Sequence, residues 1–255
     1  LPDPENYESM QINPKDNKDN LPQAYLHTLE NLPARMKERF WEGKFTDITE
    51  NALWNIEILD KWRQEEHPDL QRVVVAVDPS GAGDTDNEDN DAIGIVAAGL
   101  GVDGNAYVLE DTTIKAGPAV WGNMVATTFD RQAADTVVGE MNYGGGMVKY
   151  VVQTANPKIP FKRVTATRGK VIRAEPISAL TEQGKVRFVG NFTDLEDELC
   201  AFTTNGYIGE RSPNRADAFV FAISELFPGL TREAKKPKKE KSHVPRYTGS
   251  GAWMA

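Results

Sequence analysis

Apolar and polar positions along this chain follow different periods in different stretches, and the changes of period divide it. Residues 1 to about 20 are polar, rich in Asn, Asp and Pro and without a period, which predicts an extended arm or linker. From Leu21 to Phe45 the spacing turns helical, with Tyr25, Leu29, Leu32, Met36 and Phe40 recurring at three to four residues. A second helix is predicted from about Thr49, with Leu53, Ile56, Leu59 and Trp62 on one side, and this helical lead-in ends near His67-Pro68.

The period then shortens. Strands are predicted at 72–78, 91–99 and 105–111, with Gly101-Val102-Asp103-Gly104 as the tight turn between the second and third. A helix follows Pro118, carrying Trp121, Val125 and Phe129; then come a strand at 136–140, a Gly-rich turn, and a helix with Val148, Tyr150, Val151 and Val152. Phe161 to Ala166 reads as a strand, a helix containing Pro176 ends at Gly184, and Val186 to Val189 is a short strand. A helix capped by Thr193, with Glu196 three residues on, precedes a last helix with Ser212 as cap and Pro213 in its first turn. That last helix buries Ala216, Val220, Ile223 and Phe227. Short connections require antiparallel pairing, whereas helical crossovers allow parallel pairing. The expected architecture is α/β: a mixed, central, mostly five-stranded sheet with helices on both faces, preceded by the helical lead-in. This order matches the RNase H-like fold, although fold by itself does not fix function. Three parts are expected: a lead-in over 1–70, the main domain over 71–229, and a basic, disordered tail over 230–255.

At 255 residues, 40% of them apolar and 26% charged, the chain has the size and balance of a globular protein with a full core. No apolar run approaches the roughly 20 residues needed to span a bilayer, and no signal peptide is read at its start. The chain opens on Leu1 rather than Met, so it is expected to be a piece of something longer. A single cysteine, Cys200, excludes an internal disulfide and a Cys-based zinc site and fits a reducing cytoplasm; it reads as a packed apolar residue. The net charge of −9 is uneven, because Thr231 to Tyr247 holds seven Lys/Arg and two Glu. An acidic balance argues against a general DNA coat but not against a nuclease, whose acids can be metal ligands. The tail lysines Lys235, Lys236, Lys238, Lys239 and Lys241 can bind nucleic acid non-specifically, or simply keep the tail soluble.

Three acids fall where a two-metal nuclease needs ligands. Asp78 ends the apolar run Val73-Val74-Val75-Ala76-Val77, Glu140 ends Thr136-Val137-Val138-Gly139, and Asp217 lies just inside the last helix. Carboxylates at the ends of buried strands cost stability unless compensated, and divalent cations are a common compensation. Alternation puts Asp78 on the face of Val74 and Ala76, and a parallel fourth strand sets Glu140 beside it. Converging carboxylates without cations repel and take up protons. With two Mg²⁺ or Mn²⁺ about 4 Å apart they stay ionised, activate a water and stabilise a leaving oxygen of a phosphodiester. Taken singly, each acid also has an ordinary role, in a turn, before a loop, or in a helix salt bridge.

Other residues are secondary candidates. Gly144 and Gly145, at a helix start, let backbone approach a metal or phosphate, and Asn142 is placed to orient substrate or to form the turn. Asp84, Asp86, Glu88, Asp89 and Asp91 begin like a calcium loop, but Asp89 stands where its Gly should be and Ile95 where its bidentate Glu should be. They read as a solvated loop, with Asp91 the member placed to reach the metal site. Lys170 and Arg173, on one helix, can bind phosphates or offset the acids, and Arg215 lies close to Asp217. No phosphate-cradling G-x-x-x-x-G-K-[ST] occurs, so ATP binding by this stretch is not expected.

These segments resemble a known family. Val75-Ala76-Val77-Asp78-Pro79-Ser80, Val138-Gly139-Glu140-Met141-Asn142-Tyr143-Gly144-Gly145, Lys170-Val171-Ile172-Arg173-Ala174-Glu175-Pro176 and Ser212-Pro213-Asn214-Arg215-Ala216-Asp217-Ala218 look like the C-terminal nuclease domain of the large terminase subunit of tailed bacteriophages. The lead-in, with Leu21-Pro22-Gln23-Ala24-Tyr25-Leu26 and Trp41-Glu42-Gly43, looks like the end of that family's ATPase domain and its linker. The resemblance implies an endonuclease that cuts concatemeric viral DNA during packaging, with the family's catalytic acids falling on Asp78, Glu140 and Asp217. It further implies double-stranded DNA as substrate, work in the cytoplasm of an infected bacterial host, and as partners the portal protein, the small terminase subunit and an ATPase domain of the same full-length chain. Other RNase H-like nucleases, of junction-resolvase or transposase type, and a non-catalytic module docking DNA or portal are the competing readings.

Overall fold

The computed structural model describes residues 14–30, 41, 51–79, 92–140, 146–164, 169–209 and 211–231. Asp91 and the rest of the acidic loop, Asn142, Gly144, Gly145 and the basic tail lie outside the described residues.

The apolar runs form one sheet. Its strands are β1 (Arg63–Gln64), β2 (Leu70–Asp78), β3 (Gly94–Gly101), β4 (Ala106–Asp111), β5 (Thr136–Glu140), β6 (Phe161–Val164) and β7 (Val186–Val189), in the order β1-β7-β4-β3-β2-β5-β6. β2, β3 and β4 form an antiparallel meander, while β5 lies parallel to β2, β6 to β5, and β7 to β4. A separate hairpin joins β8 (Phe202–Thr203) to β9 (Gly206–Tyr207). The helices are α1 (Gln23–Glu30), α2 (Ile56–Lys61), α3 (Pro118–Arg131), α4 (Met147–Ala155), α5 (Lys170–Glu182), α6 (Thr193–Cys200), α7 (Asn214–Leu226) and the short α8 (Pro228–Thr231).

Alternation in β2 divides the core in two. Val74 and Ala76 point to one face, where Val96, Ala98, Val108 and Val138 meet residues of α5, α6 and α7. Val73, Val75 and Val77 point to the other, where they meet Trp121 and Val125 of α3 and Val148 and Val152 of α4. Cys200 is buried in the first cluster, as a packed apolar residue should be.

The sheet is wider than the five central strands expected: β7 extends it beyond β4, and the outermost strand, β1, comes from the lead-in. β1 pairs parallel with β7, Leu53 N–H donates to Phe202 O at 2.7 Å, and Ala52 bridges Thr203. Trp54 is 1% exposed, stacks edge-on against Phe202 and Phe219, and donates from Nε1 to Thr181 Oγ1 at 3.1 Å. A division of the chain after residue 70 therefore cuts through packed structure: residues from Ala52 onward share the main core. The helix expected from about Thr49 is shorter for a local reason. Asn55 caps α2, its side chain accepting from Ile58 N at 2.9 Å, so the helix starts at Ile56.

Two helix starts also differ from expectation. α6 takes Phe192 rather than Thr193 as its N-cap, and Glu196 reaches back to accept from Phe192 N at 3.0 Å. α7 takes Pro213, not Ser212, and a carboxylate from another helix caps it: Glu198 accepts from Ala216 N at 3.0 Å.

Candidate active site

Strand register brings two of the acids level. Ala76 pairs with Val138 and Val77 with Gly139, so Asp78 and Glu140 each follow by one residue on adjacent parallel strands. Parity sends both to the face of Ala76 and Val138, beneath α7. Asp78 is 2% exposed; Glu140 is half-buried.

α7 carries the third acid onto that face. Gly94 is the antiparallel partner of Asp78, and a Cβ there would stand 1.9 Å from Asn214 O. The missing side chain lets the first turn of α7 rest directly on the sheet beside Asp78. Asn214 fixes the contact by donating from Nδ2 to Ala92 O at 2.6 Å, and Asp217 N closes the turn onto Pro213 O at 2.8 Å. Asp217, 3% exposed, lies in this first turn of the helix.

Asp217 is held by two cations of α5. Lys170 Nζ stands 2.6 Å from Oδ2 and Arg173 Nη2 3.3 Å from Oδ1; Arg173 also lies over the Phe221 ring at 4.9 Å. The ionic match is close but the hydrogen bonding is incomplete. Asp217 Oδ2, Arg173 Nε and Arg173 Nη1 are buried with no aligned hydrogen-bond partner among the described residues, and the Lys170 contact to Oδ2 is one of charge without that alignment. Buried polar atoms are usually satisfied, so this carboxylate retains capacity for a further ligand.

Arg215, two residues before Asp217, faces the other way. It reaches Asp111 Oδ2 from Nε at 3.0 Å, Asp194 Oδ2 at 2.8 Å and Glu198 Oε1 at 3.5 Å. Three acids of β4 and α6 therefore grip the turn that carries Asp217. Burial first, and then the nearby Asp111 charge, push the Glu198 carboxyl up to about 7, although Ala216 N and Arg215 oppose the shift. Tyr207 of β9 borders the same region; burial, then the Glu198 and Asp217 charges, push its hydroxyl up to about 12. Sequence reading did not find Asp111, Asp194, Glu198 or Tyr207. For Glu198 the only sequence signal is that it is one of four acids within α6.

The donor set suits a hard divalent cation, since carboxylate oxygens are the ligands Mg²⁺ and Mn²⁺ prefer. Among the described residues no group of three His, Cys, Asp or Glu side chains lies close enough together to hold an ion. Asp78 and Glu140 share a face and an edge, with Asp217 in the first turn of the helix above, and the three do not form such a group. No described helix is long and apolar enough to cross a membrane.

An antiparallel meander, two further strands parallel to its first strand and a last helix laid across the sheet constitute an RNase H-like fold. The chain belongs to the terminase RNaseH-like domain family, whose sequence profile matches residues 75–226. Solved structures agree on the fold. The P22 large terminase nuclease domain aligns with a TM-score of 0.51 at 14% identity, over 71% of this chain and 94% of its own. The large terminase nuclease of thermophilic phage G20c gives 0.50 at 14%, over 69% and 98%. A mutant nuclease domain of the large terminase subunit gp2 of bacterial virus Sf6, with manganese, gives 0.50 at 14%, over 68% and 98%. No curated protein matches the chain.

Proposed function

We propose that this chain is the nuclease part of a phage large terminase, a divalent-metal-dependent endonuclease that cuts concatemeric viral DNA during genome packaging. The observation that carries the reading is the β2–β5 register that sets Asp78 level with Glu140, under a last helix whose first turn holds Asp217, in a chain of this family. Manganese in the related Sf6 nuclease domain supports the choice of ion.

Asp78, Glu140 and Asp217 are the residues that would hold Mg²⁺ or Mn²⁺. Bound there, such ions would supply activation of a water and stabilisation of the departing oxygen of the phosphodiester. The chain supplies the rest. The β2–β5 register fixes the level of Asp78 and Glu140, and Gly94 with Asn214 fixes the approach of Asp217. Lys170 and Arg173 pair with the Asp217 carboxylate and would meet phosphate charge. Arg215 acts through its three acids as a brace on the first turn of α7. Double-stranded DNA is the substrate of this reading. The portal protein, the small terminase subunit and an ATPase domain of the same full-length chain are its partners, in the cytoplasm of an infected bacterial host.

Cleavage of plasmid DNA in Mg²⁺ or Mn²⁺ tests it. Wild type is expected to cut with little sequence preference, and Asp78→Ala, Glu140→Ala and Asp217→Ala are each expected to abolish cutting. Undiminished cutting by Asp78→Ala overturns the mechanism.

A further inference from the structure

Charge is distributed unequally about the site. Between Glu140 and Glu175 the chain contains no Asp or Glu and seven Lys/Arg, within a protein whose net charge is −9. The fold places the described parts of this stretch on one flank, because they comprise α4, the edge strand β6 and the start of α5. Lys158, Lys162 and Arg163 are exposed there, and Lys170 is partly so. The stretch is tied to the site at two points: Val164 of β6 is the register partner of Glu140, and Lys170 and Arg173 contact Asp217.

Buried acids fix two of the flank's lysines without cancelling its charge. Lys162 Nζ lies 2.7 Å from Glu225 Oε1, and Arg72 also pairs with that oxygen at 2.6 Å, so two cations meet one carboxylate. The pairing at Asp217 is likewise two to one. The opposite flank has the reverse sign. There Asp111, Asp194 and Glu198 surround the single guanidinium of Arg215.

We propose that the DNA duplex lies along the β5–β6 flank, with one phosphate strand following the exposed edge of β6 from Lys158 past Lys162 and Arg163 to Lys170, and that the β4–α6 flank repels it. This rests on the nuclease reading above and adds the side from which the substrate reaches the acids. The length fits: at about 3.3 Å per residue, β6 from Phe161 to Val164 covers roughly 10 Å of backbone track, with Lys158 in the turn before it. Phosphates spaced along one strand by about 3.4 Å of helix axis per base pair present several charges over that distance.

The test is binding of the full chain to a short fluorescent duplex, without divalent metal, across a series of salt concentrations. Lys158→Glu with Arg163→Glu is the test pair; Lys162 is left intact because it pairs with Glu225. Lys185→Glu, an exposed site preceding β7, is the control. The test pair is expected to weaken binding at least about tenfold and to lower the salt slope by about two units, while Lys185→Glu stays within about twofold of wild type. Equal binding by the test pair and the control overturns the flank assignment, and does so alone if wild type still cuts plasmid in Mn²⁺. Retained duplex binding that the test pair abolishes, alongside undiminished cutting by Asp78→Ala, leaves the flank standing and removes the mechanism. No salt-dependent binding by wild type overturns both.

Discussion

Gly94 and Asn214 touch where no side chain would fit: the Cβ that Gly94 lacks would lie 1.9 Å from the Asn214 carbonyl oxygen. The contact joins the strand position opposite Asp78 to the turn that carries Asp217, so two proposed ligands depend on one missing methyl group.

Gly94→Ala is therefore expected to push the first turn of α7 off the sheet. The obstacle is backbone, not a flexible side-chain tip, so the cost should reach about 3 kcal/mol or more. Urea unfolding measures it, and isothermal titration with Mn²⁺ should show weakened binding even where the variant folds. A variant as stable as wild type with unchanged Mn²⁺ affinity contradicts the packing argument.

Arg173→Ala leaves Asp217 buried with Lys170 as its remaining cation. Breaking a buried pair costs on the order of 3 kcal/mol. The midpoint of denaturant unfolding should fall accordingly, and a loss no larger than that of an exposed surface variant would show that the pair contributes little.

Glu198 sets a pH dependence whose sign follows from its raised pKa. Its carboxyl titrates near 4.5 when unfolded and about 7 when folded, so between these values the native state binds more protons than the unfolded state. Stability from this group is fully present below pH 4.5 and declines as pH rises toward 7, by at most about 1.4 kcal/mol per unit. Glu198→Gln should flatten the dependence over that window. Parallel stability–pH curves for variant and wild type contradict the assignment.

Trp54 ties the lead-in to the core, so Trp54→Ala should cost about 3–5 kcal/mol. A chain beginning at residue 51 should fold like the full chain, whereas one beginning at residue 66 lacks both Trp54 and β1. Far-UV circular dichroism and thermal melts distinguish them; identical melts for the two place the boundary after the lead-in instead.

How much of this was legible in the sequence depended on whether a signal was local. Val73 to Val77 and Val137 to Val138 announce buried strands by their apolar runs, and the short turn before β4 and the helix before β5 settle which pairings are antiparallel and which parallel. Asp78 and Glu140 could therefore be set side by side before any coordinates. β1 could not be found this way, because Arg63 and Gln64 are polar and enter the sheet only through backbone bonds with β7. The β8–β9 hairpin turns through Thr204-Asn205, and its strands are only two residues each, too short for alternation to announce them. The cations on Asp217 and the acids on Arg215 are long-range pairings from other elements, and nothing in the spacing of charges specifies which of many will meet. Helix caps failed for the same reason: Ser212 has the right chemistry for α7, yet Glu198 from α6 holds the position.

The β2–β5 register has one more consequence, for how this chain can change length. Because Ala76 faces Val138 in a parallel pair, deleting one residue within Val73–Val77 or Val137–Gly139 turns the following carboxylate to the opposite face, toward α3 and α4. Exchange of one apolar residue for another in these strands alters only packing. Insertions and deletions should be tolerated in the connections outside the strands, and a single frame slip inside either strand should remove an acid from the site as completely as its substitution.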